Sequence, residues 1–102
     1  MTFAAAPDPP YYAVIFANQH SGLDVEAYDR TAAEMQRLAA EQPGFLGIES
    51  ARNADGFGIT VSYWASREAI AAWKAHPDHQ RAQAAGRSRW YDHYNTRIAK
   101  VE

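Results

Sequence analysis

Gln42-Pro43-Gly44-Phe45-Leu46-Gly47-Ile48-Glu49 leads, after a short turn, into Gly58-Ile59-Thr60-Val61-Ser62-Tyr63-Trp64 and then Ser66-Arg67-Glu68-Ala69-Ile70-Ala71-Ala72-Trp73. Proline lacks a donor N–H and glycine takes positive φ, so Pro43-Gly44 stops a helix. The next eight residues read as a strand from Phe45 to Arg52. Asn53-Ala54-Asp55-Gly56 is turn chemistry, with Gly56 suited to positive φ. A strand from Phe57 to Trp64 follows, and Ser66 caps a second helix with Glu68 in its first turn. The order helix end, strand, turn, strand, helix start is the middle of a βαββαβ chain.

Outward from that centre the pattern continues. Tyr11 to Asn18 reads as a first strand with Tyr12, Val14, Phe16 and Asn18 on one face and Tyr11, Ala13, Ile15 and Ala17 on the other. Both faces are apolar, unlike a sheet with one wet side. Asp24 is placed to cap a first helix reaching about Glu41. Tyr28, Thr31, Ala32, Met35, Leu38 and Ala39 recur at helical spacing and form its buried stripe. Pro77 predicts a break near His76 and a shorter helical segment ending at Gly86. A last strand lies within Trp90 to Val101. Four strands and two helices in this order predict an α+β, ferredoxin-like sandwich with a four-stranded antiparallel sheet. The helices cover one face. The other face, carrying Ile15 and Tyr63, would be bare in a lone subunit, so a homodimer packed sheet to sheet is expected.

Composition narrows the function. At 102 residues the chain is one domain, with residues 1–9 a flexible leader and 10–102 the folded unit. A formal net charge of −2 builds no field for phosphate backbones, so nucleic acid is not an expected partner. Cysteine is absent, which excludes disulfides and thiolate chemistry and fits a cytoplasmic setting. No apolar run approaches the ~20 residues that span a bilayer, so no membrane is expected. The opening Met1-Thr2-Phe3-Ala4-Ala5-Ala6 has no basic start and reads as no signal peptide. No Gly-rich phosphate loop seats a nucleotide cofactor.

Several side chains could carry chemistry. Asn18 ends an apolar strand, where it could close the strand or donate its amide to a substrate anion. Trp73 is a large apolar residue of the second helix that could form a flat wall for an aromatic compound. His76 and His79 share helical spacing, but Pro77 disturbs the turn between them and no third metal ligand is evident, so no metal site is expected. His79 can act as a general base because histidine titrates near neutrality. Trp64 reads as core or dimer contact. Arg97, Tyr91, His93 and Tyr94 fall near the last strand; Arg97 could hold an anionic oxygen or bridge to a partner subunit.

Pro43-Gly44-Phe45-Leu46-Gly47, Tyr63-Trp64-Ala65-Ser66 with Ala69-Ile70 and Trp73, and His76-Pro77-Asp78-His79 together resemble the antibiotic biosynthesis monooxygenase family. The likeness runs from Tyr11 to Val101. It implies a dimeric α/β barrel with a pocket between sheet and helices in each subunit. It also implies a monooxygenase needing no cofactor, acting with O₂ on a small electron-rich aromatic of quinol or anthrone type. Asn18 and Trp73 match positions used by the family's haem-degrading branch, but Gln83 stands where that branch has a histidine. Haem binding or degradation is therefore the second expectation, and a non-catalytic ligand-binding dimer the third. On the leading reading Asn18 and His79 are catalytic, and Trp73, Phe16, Ile70 and Gln83 bind substrate.

Overall fold

Gly44 and Gly56 sit at φ 85° and 93°, the first where a helix hands over to a strand and the second in the turn between two strands. The structure, a computed structural model, describes residues 3–102. Its order is β1 (Tyr11–His20), α1 (Val25–Ala40), β2 (Phe45–Arg52), β3 (Phe57–Trp64), α2 (Arg67–Ala75), α3 (Pro77–Ala85), a π-helical turn (Gly86–Trp90) and β4 (Tyr91–Val101). The strands form one antiparallel sheet in the order β2-β3-β1-β4, the ferredoxin-like arrangement. Ile15 lies between Val61 and Arg97, and Ala13 between Tyr63 and Ala99.

The alternation on β1 works as expected. Tyr12 and Val14 pack into the helix-covered core with Trp64, Ile70, Trp73 and Ala39. Trp64 is fully buried, and its indole N–H donates to Ser62 Oγ at 2.9 Å. A buried tryptophan with its one polar group satisfied is an anchor; truncation to alanine would cost about 3–5 kcal/mol. Gly44 lies against α2: a Cβ there would come within 2.6 Å of Ala69 Cβ. The helix-to-strand junction between α1 and β2 therefore needs glycine for both space and φ.

Caps explain most element ends. Ser66 Oγ accepts from Ala69 N at 3.1 Å to start α2. His76, at ψ 130°, ends α2, and its Nδ1 accepts from Asp78 N at 3.2 Å to start α3, with Pro77 in the first turn. The cap predicted at Asp24 is different. Asp24 holds the position before α1 but at φ 51°, and its side chain caps nothing. Its carboxylate turns instead to Arg89 Nη1 at 2.9 Å, tying the start of α1 to the π-helical turn.

The α-helical segment after Pro77 stops where read, at Ala85 with Gly86 as its cap, but not through a left-handed glycine. Gly86 is right-handed, at φ −59°, and the helix runs on into the π-helical turn. Glycine is required there for room: a Cβ would meet the Tyr91 ring at 2.7 Å. The first strand extends two residues past Asn18, to His20, with a register irregularity at Gln19/His20.

The bare face of the sheet differs in detail. Phe57 and Ile59, each 41% exposed, are its most open large apolar residues. Ile15 and Tyr63 are only half-exposed. Tyr63 is shaded by an edge contact with Tyr11, centroids 5.6 Å apart, and by its hydroxyl's bond to Glu49 Oε1 at 2.5 Å. The leader touches the same carboxylate: Ala4 N donates to Glu49 Oε2 at 3.0 Å. Residues 3–10 contain no helix or strand, and Met1 and Thr2 of the leader lie outside the described residues. Among the described residues no helix is long and apolar enough to cross a membrane.

Candidate active site

Between the sheet and its helices lies a cavity of about 440 Å³. β1 contributes Val14 and Phe16 to its wall, β3 contributes Thr60, Ser62 and Trp64, and β4 contributes Tyr94, Thr96 and Ile98. Tyr28 and Met35 reach it from α1, Ile70 and Trp73 from α2, and His79 and Gln83 from α3. Strand alternation and helical spacing thus converge from separate elements on one apolar space, as small-molecule sites do.

The expected residues Phe16, Ile70, Trp73, His79 and Gln83 all line this cavity. Asn18 does not. It is 3% exposed and stands behind the wall, where its Oδ1 accepts from Arg52 Nη2 at 2.7 Å. Arg97 also lies elsewhere: it pairs with Ile15 on the bare face, and its Nη1 donates to Asn95 Oδ1 at 2.7 Å.

His79 is held in one tautomer. Its Nδ1 is 3.0 Å from Trp73 O, and a carbonyl oxygen only accepts, so Nδ1 carries the proton. The Nε2 lone pair is left as the basic position. The ring lies flat on the Trp73 indole, centroids 4.3 Å apart and planes within 11°. Burial pushes its pKa below the ordinary histidine value, against the opposing effect of the bond to Trp73 O. His79 is therefore neutral at neutral pH and able to accept a proton. His76 is spent on capping α3, so the two imidazoles do not converge on a metal. Among the described residues no group of three or more His, Asp or Glu side chains could hold one.

A polar network that sequence patterns did not expose lies at the Asn18 end. Arg52 Nη2 donates both to Asn18 Oδ1 and to Tyr28 OH, the latter at 2.9 Å, while Nη1 donates to Gly56 O. Tyr91 OH donates to Tyr28 OH at 3.3 Å. Tyr28 and Tyr91 face the cavity; Arg52 and Asn18 support them from behind. Burial first, and the bond to Tyr28 second, push the Tyr91 phenol well above its ordinary range, so it remains a donor. His20 packs edge-on against Tyr28 at 4.5 Å, and its Nδ1 accepts from Gly22 N at 2.8 Å. Burial, then the Arg52 charge, lowers its pKa. His20 Nε2 and Trp90 Nε1 are buried without a hydrogen-bond partner among the described residues. Arg52 escaped notice because an arginine ending an exposed strand looks like a solvated residue. Tyr28 read as part of the buried stripe of its helix; it is half-buried on the cavity wall, and its hydroxyl accepts from Arg52 and Tyr91.

The βαββαβ frame agrees with the comparison to known proteins. The antibiotic biosynthesis monooxygenase family model matches residues 10–85. The chain belongs to that family. It is 57% identical over 96 residues to the uncharacterized protein YqjZ of Bacillus subtilis (strain 168), covering 94% of this chain and 83% of that one. Solved structures share the fold at low identity. One is SnoaB, a cofactor-independent oxygenase from Streptomyces nogalater, at 17% identity and TM-score 0.78, covering 92% of this chain and 95% of that one. Another is a conserved protein from Methanosarcina mazei Go1, at 7% identity and TM-score 0.80, covering 91% and 94%.

The residues present fit haem poorly. Gln83 lines the cavity, but an amide is no ordinary ligand to haem iron. His79 lies parallel to Trp73. A porphyrin bound through its Nε2 would stand edge-on to the indole and could not stack on it. No step is derived through haem.

Proposed function

We propose that the chain is a monooxygenase that oxidises a small electron-rich aromatic, of quinol or anthrone type, with O₂ and without a bound cofactor. The observation that carries this reading is the His79 imidazole, fixed in one tautomer and kept neutral by burial on the wall of an apolar cavity. Nε2 takes a proton from the substrate, leaving a delocalised anion. Trp73 holds the flat ring system, with Phe16, Ile70 and Gln83 around it. The anion passes one electron to O₂, and the resulting pair combines through a new C–O bond to a peroxide. Loss of water from that peroxide turns an anthrone CH₂ into C=O, so one O₂ is consumed and one water released per substrate.

Developing negative charge needs a donor. Asn18 supplies this at one remove. It and Tyr28 share the Arg52 guanidinium, which polarises the Tyr28 hydroxyl at the cavity wall. Asn18 is thus a positioning residue, and Tyr28 the donor that faces substrate. The working molecule is a homodimer joined through the bare sheet face, with Phe57 and Ile59 at the contact.

Oxygen uptake by the purified protein with a panel of anthrones and quinols tests the chemistry. Turnover that drops at least ~100-fold in His79→Ala supports it, since general-base catalysis is worth about 10²–10⁴-fold. Uptake that is absent throughout, or unchanged in the variant, removes it. Binding without turnover would leave a ligand-binding dimer. Small-angle scattering in dilute solution tests the assembly: a single-chain particle would exclude the sheet-to-sheet dimer.

A further inference from the structure

A second space lies just outside the cavity. It is a groove of about 340 Å³ over the seam between α1 and α3, bordered by Ala27 of α1 and by Asp78, Arg81 and Ala85 of α3. Thr31, Met35, Ala82 and Trp90 line both the groove and the cavity. One layer of side chains therefore separates the two spaces. The groove belongs to the helical side of the sheet, so a partner packed on the bare face leaves it open.

Nothing polar holds this layer shut. Arg81 pairs with Asp78 inside α3, and Arg89 pairs with Asp24 beyond the seam. Among the described residues no hydrogen bond or ion pair joins α1 to α3. Thr31, Met35 and Ala82 are half-buried. Two of them are small, and methionine is an unbranched chain that repacks readily.

The layer meets the cavity at a particular place. Ala82 follows His79 by three residues and Thr31 follows Tyr28 by three, so each stands one turn further along the same helix face. His79 and Tyr28 are both on the cavity wall. A molecule crossing the layer emerges between the proposed base and the proposed donor. The cavity's other opening is marked by the exposed Lys74, Arg87, Tyr94 and Ile98. Pockets of this size enclose most of a small ligand, so a ring system seated against Trp73 obstructs the way it came in.

We propose that the seam between α1 and α3 is the entry route for O₂, with Met35 as its moving part. O₂ is small, uncharged and apolar. A passage walled by alanine, threonine and methionine admits it and excludes a fused-ring compound. The inference rests on the oxygenase reading of the cavity and adds a separate route for the second reactant.

All three tryptophans of the chain, Trp64, Trp73 and Trp90, line the cavity, so quenching of their fluorescence by dissolved O₂ reports gas inside it. Ala27 and Ala85 line the groove but not the cavity. The double variant Ala27→Leu/Ala85→Leu fills the groove without touching the substrate wall. Side-chain motions open such routes on the ps–ns scale, so closing one of two comparable routes is expected to cut the O₂ quenching constant about twofold. Met35→Ala should raise it. Acrylamide, polar and bulkier, should quench the double variant and the parent alike, which also shows that the variant folds. With an anthrone that is turned over, KM for O₂ should rise by the same factor in the double variant, while kcat/KM for the anthrone at saturating O₂ stays. O₂ quenching that neither variant changes, or that falls together with acrylamide quenching, overturns the proposal. So does turnover whose O₂ dependence ignores the filled groove. Should the double variant not fold, an O₂ quenching constant left unmoved by Met35→Ala decides against it. Weaker O₂ quenching in the double variant, with no O₂ uptake from any anthrone or quinol, supports the passage and removes only the oxygenase chemistry.

Discussion

The His79 ring lies 4.3 Å from the Trp73 ring at 11°, and its Nδ1 lies 3.0 Å from the carbonyl of the same tryptophan. One residue thus sets both the orientation and the tautomer of the proposed base. Burial lowers the His79 pKa in the folded chain, whereas the unfolded chain titrates at the ordinary 6.5. Below 6.5 the unfolded state binds a proton that the native state refuses. Stability contributed by neutral His79 is therefore complete above that pH and is lost as pH falls through the folded value. An NMR titration should place the His79 inflection below 6.5. The acid limb of turnover should follow it. An inflection at or above 6.5 would contradict the burial argument.

Arg52 bridges Asn18 and Tyr28, which lie on different elements 34 and 24 residues away from it in sequence. Arg52→Ala leaves the Oδ1 of a 3%-exposed asparagine without its charged donor. A loss of about 1–3 kcal/mol is expected, typical of an orphaned buried acceptor. Arg52→Lys keeps the charge but not the planar fork, so it should recover part of the loss at most. Urea midpoints for the two variants measure this. Equal stability of Arg52→Ala and the parent would show that Asn18 does not depend on the guanidinium.

The frame was legible because its signals are local. Pro43-Gly44, the Asn53–Gly56 turn and Ser66 act within four or five residues of themselves, and the elements they bound appear where read. Part of the wall was legible too: Phe16, Ile70 and Trp73 fall on a strand face and a helix read from local pattern, while His79 and Gln83 were singled out through the family resemblance, and all five line the cavity. The supporting network was not. Asn18, Tyr28, Arg52 and Tyr91 come from four elements, and no spacing rule joins them. Asp24 misled because two partners compete for one carboxylate, and Arg89 takes it from the helix end. Gly86 follows the end of α3 as read, yet at φ −59° it clears space for a ring and adopts no left-handed cap.

That space gives a prediction whose sign is informative. At φ −59° and ψ −49°, Gly86 has a backbone that alanine prefers by about 1 kcal/mol. On helix propensity alone Gly86→Ala should stabilise. The added Cβ, however, would lie 2.7 Å from the Tyr91 ring, which is itself fixed by edge contacts to Phe16 at 5.2 Å and Tyr28 at 5.8 Å. Overpacking of this kind costs about 1–3 kcal/mol, so the net effect is expected to be destabilising. A higher thermal midpoint in Gly86→Ala would show that the ring yields freely and that the π-helical turn is not set by this contact.

On the opposite side of the sheet, Glu49 accepts from the Tyr63 hydroxyl and from Ala4 N. The hydrogen bond to the carboxylate first, then burial and the carboxylate charge, raise the Tyr63 pKa to about 12. The same bond, seconded by the one from Ala4, lowers the Glu49 pKa. Tyr63 should therefore stay protonated at a pH where an ordinary tyrosine is half ionised. Ultraviolet titration of the parent against Tyr63→Phe isolates its absorbance change. Glu49→Gln keeps an acceptor but removes the charge, so the Tyr63 inflection should move down toward 10. If it does not move, burial against Tyr11 governs the phenol, and the carboxylate is not what orders this face.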